Sequence, residues 1–202
     1  MAKTLAPTKG NLMTVKNTLK LSKQGYEMLD KKRNILIREM MQLIDNAKDV
    51  QIKIDSTFNE AYTALSSANL VMGVENVREV MHAVTVDESV SIKLRSVMGV
   101  EIPTVSADET VGSLPYGLYE TSSSLDEAYI KFSKVKQLTL QLAEIENSVY
   151  RLAVNIRKTQ KRANALKNIT IPLYERLSKE ISDSLEEKER EEHTRLKIIK
   201  KE

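Results

Sequence analysis

Two histidines are the side chains of this chain best suited by type to move protons near neutral pH. His82, followed by Asp87 and Ser89, supplies the residue types of a hydrolase triad, in which an imidazole takes a hydroxyl proton and a carboxylate orients the ring. The surroundings argue against that chemistry. The stretch reads as a short helix running into a hairpin edge, with no sharp strand-to-helix turn to present the hydroxyl. His193 stands beside Glu191 and Glu192 in a charged tail, a poor spacing for a metal ion. There is no cysteine, so thiolate nucleophiles, thiolate metal sites and disulfides are excluded, which fits a reducing compartment. The six glycines are scattered singly, and none belongs to a phosphate-cradling loop ending in Lys-Ser or Lys-Thr. Met28, Met40, Met41, Met72 and Met81 fall in or near apolar stripes and read as core filling. The sequence predicts no catalytic residue, no cofactor and no metal.

Charge is the other chemistry on offer. The formal net charge is only +3, but the charges are segregated. Lys9, Lys16, Lys20, Lys23, Lys31, Lys32 and Arg33 form one basic run against Glu27 and Asp30. Arg151, Arg157, Lys158, Lys161, Arg162 and Lys167 form a second with no acid between them. Between Gly99 and Ala128 the sign reverses, with Glu101, Asp108, Glu109, Glu120, Asp126 and Glu127 and no Lys or Arg. Such runs are either solvated helix faces or surfaces for an acidic partner. Nucleic acid is not expected, because the aromatic side chains that would stack on bases do not alternate with the cations.

The elements that must carry these runs are legible from periodicity. Aromatic residues make up only 4% of the chain and charged residues 29%, a composition better suited to a helical seam than to a globular core. Alternating steps of three and four residues from Leu12 reach Val15, Leu19, Ser22, Tyr26, Leu29, Arg33, Leu36, Met40, Leu43, Ala47, Val50, Ile54, Thr57, Ala61, Ala64 and Ala68. A heptad stripe kept this long marks a supercoiled seam on a helix of roughly 80–90 Å. A second stripe runs Leu125, Ala128, Phe132, Val135, Leu138, Leu142, Ile145, Val149, Leu152, Ile156, Thr159, Ala163, Leu166, Thr170, Leu173 and Leu177. Its start, Ser124-Leu125-Asp126-Glu127, has the form of a capping box. Neither bare stripe is stable in water alone, and the connection between them is too short for parallel pairing.

Between the stripes, Gly73 reads as a left-handed helix cap and Glu75–Ala83 as a short helix. Ser89–Arg95 alternates as a strand, Gly99 supplies a turn, and Val100–Pro103 returns as a short edge strand. Ala107–Ser123 reads as loop. The predicted fold is therefore all-α dominated: a long antiparallel two-helix coiled coil with a small β-hairpin insertion. It divides into a first helix over 1–72, a middle segment over 73–123 and a second helix with a charged tail over 124–202. Two defects stand in the stripes, Gly25 in the first and Pro172 in the second; antiparallel pairing would set them side by side, either as a bend or tight crossing or as a tolerated defect at each site. No apolar run suggests a signal peptide or a membrane span, so a soluble chain is expected.

Several of these features in this order resemble the D subunits of V-type and A-type rotary ATPases. They are Pro7-Thr8-Lys9, Leu19-Lys20, Gly25-Tyr26 and Lys32-Arg33 near the start, and Arg95 through Pro103 in the middle. Late in the chain come Arg162-Ala163-Asn164-Ala165-Leu166, Ile171-Pro172, Leu185 through Glu191 and Arg195-Leu196-Lys197. The short tail is closer to bacterial and archaeal members than to the longer eukaryotic ones. The resemblance implies a non-catalytic central rotor shaft that couples ATP hydrolysis or synthesis to proton or sodium transport. Both chain ends would lie inside a three-fold head of alternating catalytic and non-catalytic subunits (A and B). A small F subunit would bind alongside, and a socket-like subunit would link the folded end to the membrane ring. The chain would then be cytoplasmic and peripheral to the membrane. Lys16, Lys20, Lys23, Arg157, Lys158 and Arg162 are the expected contacts with the head, and Ile92, Leu94, Met98, Gly99 and Ile102 the expected partner or regulatory face of the hairpin. A coiled-coil scaffold with no rotary role is the alternative.

Overall fold

The computed structural model of the chain describes residues 6–84, 89–106, 114–119 and 121–200. Asp87, Glu120 and residues 107–113 of the expected loop lie outside the described residues. Helix α1 spans Lys9–Met72 and α2 Val74–Met81; strands β1 and β2 are Ser91–Val97 and Val100–Ser106; α3 spans Ser123–Ala165 and α4 Ile171–Ile199. The fold is the all-α class with a two-stranded antiparallel insert that the stripes predict. By internal contacts it divides into two compact units, Met1–Ile35 with Ile156–Glu202, and Leu36–Asn155.

Helix α1 begins where a cap allows it. The Thr8 hydroxyl accepts a hydrogen bond from the Asn11 backbone N–H at 3.2 Å, and the Asn11 side-chain amide donates to the Ala6 carbonyl at 2.8 Å. Both bonds satisfy groups that a helix start leaves without partners. From there every stripe position from Leu12 to Ala68 is buried or half-buried. Val15, Leu36, Ala61 and Ala68 are almost wholly out of solvent. The polar members of the stripe are accommodated: Thr57 returns its hydroxyl to the Lys53 carbonyl at 2.7 Å, and Arg33 donates to Gln160 Oε1 at 2.8 Å while pairing with Asp30 at 2.6 Å. Burying a polar side chain is tolerable only when its hydrogen bonds are made, and for Thr57 and Arg33 they are.

In the unit of the two chain ends, the cross-helix partners run in reverse order. Lys9 meets Glu189 at 2.9 Å, Lys23 meets Glu175 at 2.7 Å, and Arg33 meets Gln160. The Pro172 defect is resolved by a π turn, Leu166–Thr170, immediately before it. Proline has no N–H and its ring collides with the carbonyl one turn back, so the helix widens by one residue. The Ile171 N–H bonds to the Leu166 carbonyl, and the Thr170 hydroxyl donates to the Ala165 carbonyl at 3.4 Å. The extra residue shifts the stripe just after it. Leu173 is turned partly outward, 36% exposed, and Tyr174 takes the inward position beside it, while Leu177 stays inward as expected and Ile181 and Leu185 continue the stripe. Gly25 lies against Leu166, not Pro172; a β-carbon there would stand 3.7 Å from Leu166 Cδ1, an ordinary contact. No tight crossing depends on that glycine.

In the other unit, α1 stacks Phe58 and Tyr62 against the edge and face of Phe132 on α3, with ring centroids 6.5 and 5.5 Å apart. Ala68, Val77, Tyr116 and Leu125 form a core that fastens α2 and the segment around Tyr116 to α1 and α3. Gly73 joins α1 to α2 at φ 84° and ψ 148°. The φ is positive as a left-handed cap would have it, but the ψ is extended, a combination essentially restricted to glycine. Helix α3 starts two residues earlier than a cap at Ser124 would have it. The Ser122 carbonyl accepts from the Leu125 and Asp126 N–H groups at 2.9 and 3.4 Å. Glu127 pairs with Lys131 at 2.8 Å, and Asp126 accepts from the Tyr116 hydroxyl at 2.8 Å. With the cap at Ser122, Ser124 stands inside the first turn, and no capping box forms there.

Candidate partner-binding surfaces

The hairpin is built on a two-residue turn, Met98-Gly99, with φ of 51° and 73°. Both positive values belong to the turn type whose twist matches paired strands. Gly99 adopts this freely, whereas Met98 does so at a cost of about 1–2 kcal/mol. The register runs from Val97 opposite Val100 to Ser91 opposite Ser106, so β2 continues three residues beyond Pro103. Closure by a two-residue turn makes Val97–Val100, Arg95–Ile102, Lys93–Thr104 and Ser91–Ser106 the hydrogen-bonded pairs. The backbone groups of Glu101, Pro103 and Val105 then point away from β1.

Helix α3 meets that outer edge of β2. The Val105 N–H donates to Glu144 Oε2 at 2.8 Å, and Arg151 Nη1 donates to the Glu101 carbonyl at 3.1 Å. Pro103 lies between them and has no N–H to satisfy. Val100, Ile102 and Pro103 are buried, so Ile102 faces inward and is not available to a partner. Ile92, Leu94 and Met98 are exposed, at 68%, 60% and 49% of their possible surface. Sequence reasoning did not single out Glu144 and Arg151 as anchors. Nothing in their local pattern marks them, because their partners are dozens of positions away in the chain.

The basic runs meet different fates. Lys16 and Lys20 with Arg157, Lys158 and Arg162 are exposed members of one compact unit and form no ion pair among the described residues. Lys23 is engaged by Glu175 and Lys9 by Glu189. The Glu189 carboxylate beside it holds the Lys9 ammonium above its usual pKa, and Lys9 in turn holds Glu189 below the usual carboxylate range. Lys167 stands over the Tyr26 ring, 5.8 Å from its centroid. The exposed set therefore presents positive charge without local compensation, whereas Lys23 does not.

A third surface surrounds the Gly73 joint, where Leu70, Val71, Val74 and Met81 are all more than half exposed. His82, at the end of α2, is exposed, and no three His, Asp or Glu residues among the described ones could hold a metal ion. Among the described residues, no helix is long and apolar enough to cross a membrane.

The family model of the ATP synthase D subunit matches residues 11–201. The V-type ATP synthase D subunit of Thermotoga neapolitana is 45% identical over 196 residues, 97% of each chain. The A-type ATP synthase D subunit of Methanobrevibacter smithii is 36% identical over 96% of this chain and 85% of its own. The A-type protein of the same name from Pyrococcus horikoshii is 34% identical over 97% of this chain and 93% of its own. With nearly the full length matched and the paired helices and hairpin in place, the chain belongs to the family of ATP synthase D subunits.

Proposed function

We propose that this chain is the non-catalytic central shaft of a V/A-type rotary ATPase, transmitting torque between the catalytic head and the membrane ion-translocating rotor. The observation that carries the reading is the antiparallel helix pair with a satisfied seam and an exposed, uncompensated set of cations on one of its two units. A shaft must resist twisting, and a packed helix pair resists it better than a single helix. It must also turn inside its bearing. Exposed charges such as Lys16, Lys20, Arg157, Lys158 and Arg162 guide a surface without locking it, because exposed ion pairs contribute little.

On this reading residues 1–72 and 124–202 are the two helices of the shaft and 73–123 is its insert. The A and B subunits of the head surround the basic ends, and the F subunit and a socket-like subunit bind the remainder. The apolar patch at Leu70, Val71, Val74 and Met81 suits the socket-like partner. The hairpin face of Ile92, Leu94 and Met98 suits a partner that tunes turnover. The chain acts on the cytoplasmic face of the membrane, peripheral to it, coupling ATP to proton or sodium movement.

The test is purification from the native host with the subunit ratios counted. One copy of this chain with three copies each of two large nucleotide-binding subunits is expected. Recovery as a homo-oligomer with unrelated partners would overturn the shaft and leave a scaffold. In the purified complex, Lys20→Glu with Arg157→Glu and Arg162→Glu is expected to lower coupled activity.

A further inference from the structure

We infer that the free edge of β1 is a strand-addition site for an extended acidic segment of a partner chain. The inference rests on the chain working within an assembly, as proposed above.

The two edges of the hairpin are treated differently. The outer edge of β2 is met by Glu144 and Arg151. The outer edge of β1 carries the N–H and C=O groups of Ile92, Leu94 and Ser96, which the register turns away from β2. Every residue from Ser91 to Ser96 is exposed, and among the described residues no hydrogen bond reaches the outward groups of Ile92, Leu94 or Ser96. An exposed edge strand with apolar side chains such as Ile92 and Leu94 is a template for another strand.

The charges choose the occupant. Lys93 and Arg95 alternate with Ile92 and Leu94, and β1 carries no acid. A second copy is a poor partner: any antiparallel self-pairing that keeps five or more residues of β1 in register centres on Lys93, Leu94 or Arg95, and each of these sets a cation opposite a cation. A strand with Asp or Glu opposite Lys93 and Arg95, and apolar residues beside Ile92 and Leu94, satisfies both. The same two cations that keep the edge from pairing with itself select an acidic segment.

The test is residue-resolved amide hydrogen exchange, on the isolated chain and on the chain purified from its host with whatever accompanies it. In the isolated chain Lys93 and Arg95 are expected to be protected by β2, and Ile92, Leu94 and Ser96 to exchange freely. In the native assembly the latter three are expected to slow by roughly 100-fold. Leu94→Pro removes one outward N–H opposite Pro103 and spares the ladder, since proline is tolerated on an edge. That variant, and Lys93→Glu with Arg95→Glu, are each expected to abolish the added protection. Exchange in the assembly within about 2-fold of the isolated chain would overturn the inference. So would protection that survives both variants, because a contact on the face alone would then explain it. Subunit ratios in the same preparation judge the shaft separately, so the two readings fail independently.

Discussion

The helices and the hairpin satisfy their backbone in opposite ways. Along α1, α3 and α4 each segment bonds its own carbonyls to its own N–H groups, and the stripe residues have only to fill space and stay dry. In the hairpin only the inner edges are satisfied internally. The outer edge of β2 depends on Glu144 and Arg151 from α3, and that of β1 faces solvent. The contrast teaches where damage spreads. A change in the seam is felt by the whole cooperative helix pair, whereas a change at the hairpin anchors is felt by the hairpin.

The most severe break should come in the seam. Leu152→Ala, at a side chain 1% exposed, is expected to lower stability by about 2–5 kcal/mol, read as a fall in urea midpoint at unchanged slope. A local loss confined to α3 would contradict the cooperative picture. Next is the core beneath α2. Tyr116→Phe removes the donor to Asp126 and leaves a half-buried carboxylate without it, which should cost about 1–3 kcal/mol in thermal unfolding. Gly25→Ala tests the opposite sign. Because the added β-carbon would sit at an ordinary distance from Leu166, a gain of about 1 kcal/mol in helix propensity is expected. Destabilisation there would restore the tight crossing that the sequence suggests.

Smaller effects sharpen the hairpin side. Arg151→Ala should cost about 1 kcal/mol, visible as faster exchange of the β2 amides at unchanged helical circular dichroism. The smallest effect is at the exposed Lys9–Glu189 pair. Glu189 is depressed in the fold, so its contribution is present above the ordinary carboxylate pKa and is lost as pH falls through the lower folded value. Lys9 is raised, so its contribution is present below its ordinary value and lost as pH rises through the folded one. Lys9→Ala should remove this slight acid-side dependence, and salt should mask it.

Much was determined by sequence alone, because the signals are local and repeated. The stripe from Leu12 to Ala68 requires burial at every heptad, whatever the partner, and it is followed even through Ser22, Arg33 and Thr57. Alternation over Ser89–Arg95 and a glycine at position 99 are enough for a hairpin, since both strand period and turn type are read over a few residues. Tertiary structure decided what local pattern cannot express. Pro172 could have kinked the helix or widened it; the π turn chose widening, and that one extra residue moved Tyr174 inward and Leu173 partly out. Which cations remain exposed without a partner depends on acids that arrive from the opposite helix, as Glu175 does for Lys23. Likewise, the inward turn of Ile102 and the difference between the two hairpin edges follow from where α3 passes, a contact between residues far apart in the chain that no periodicity encodes.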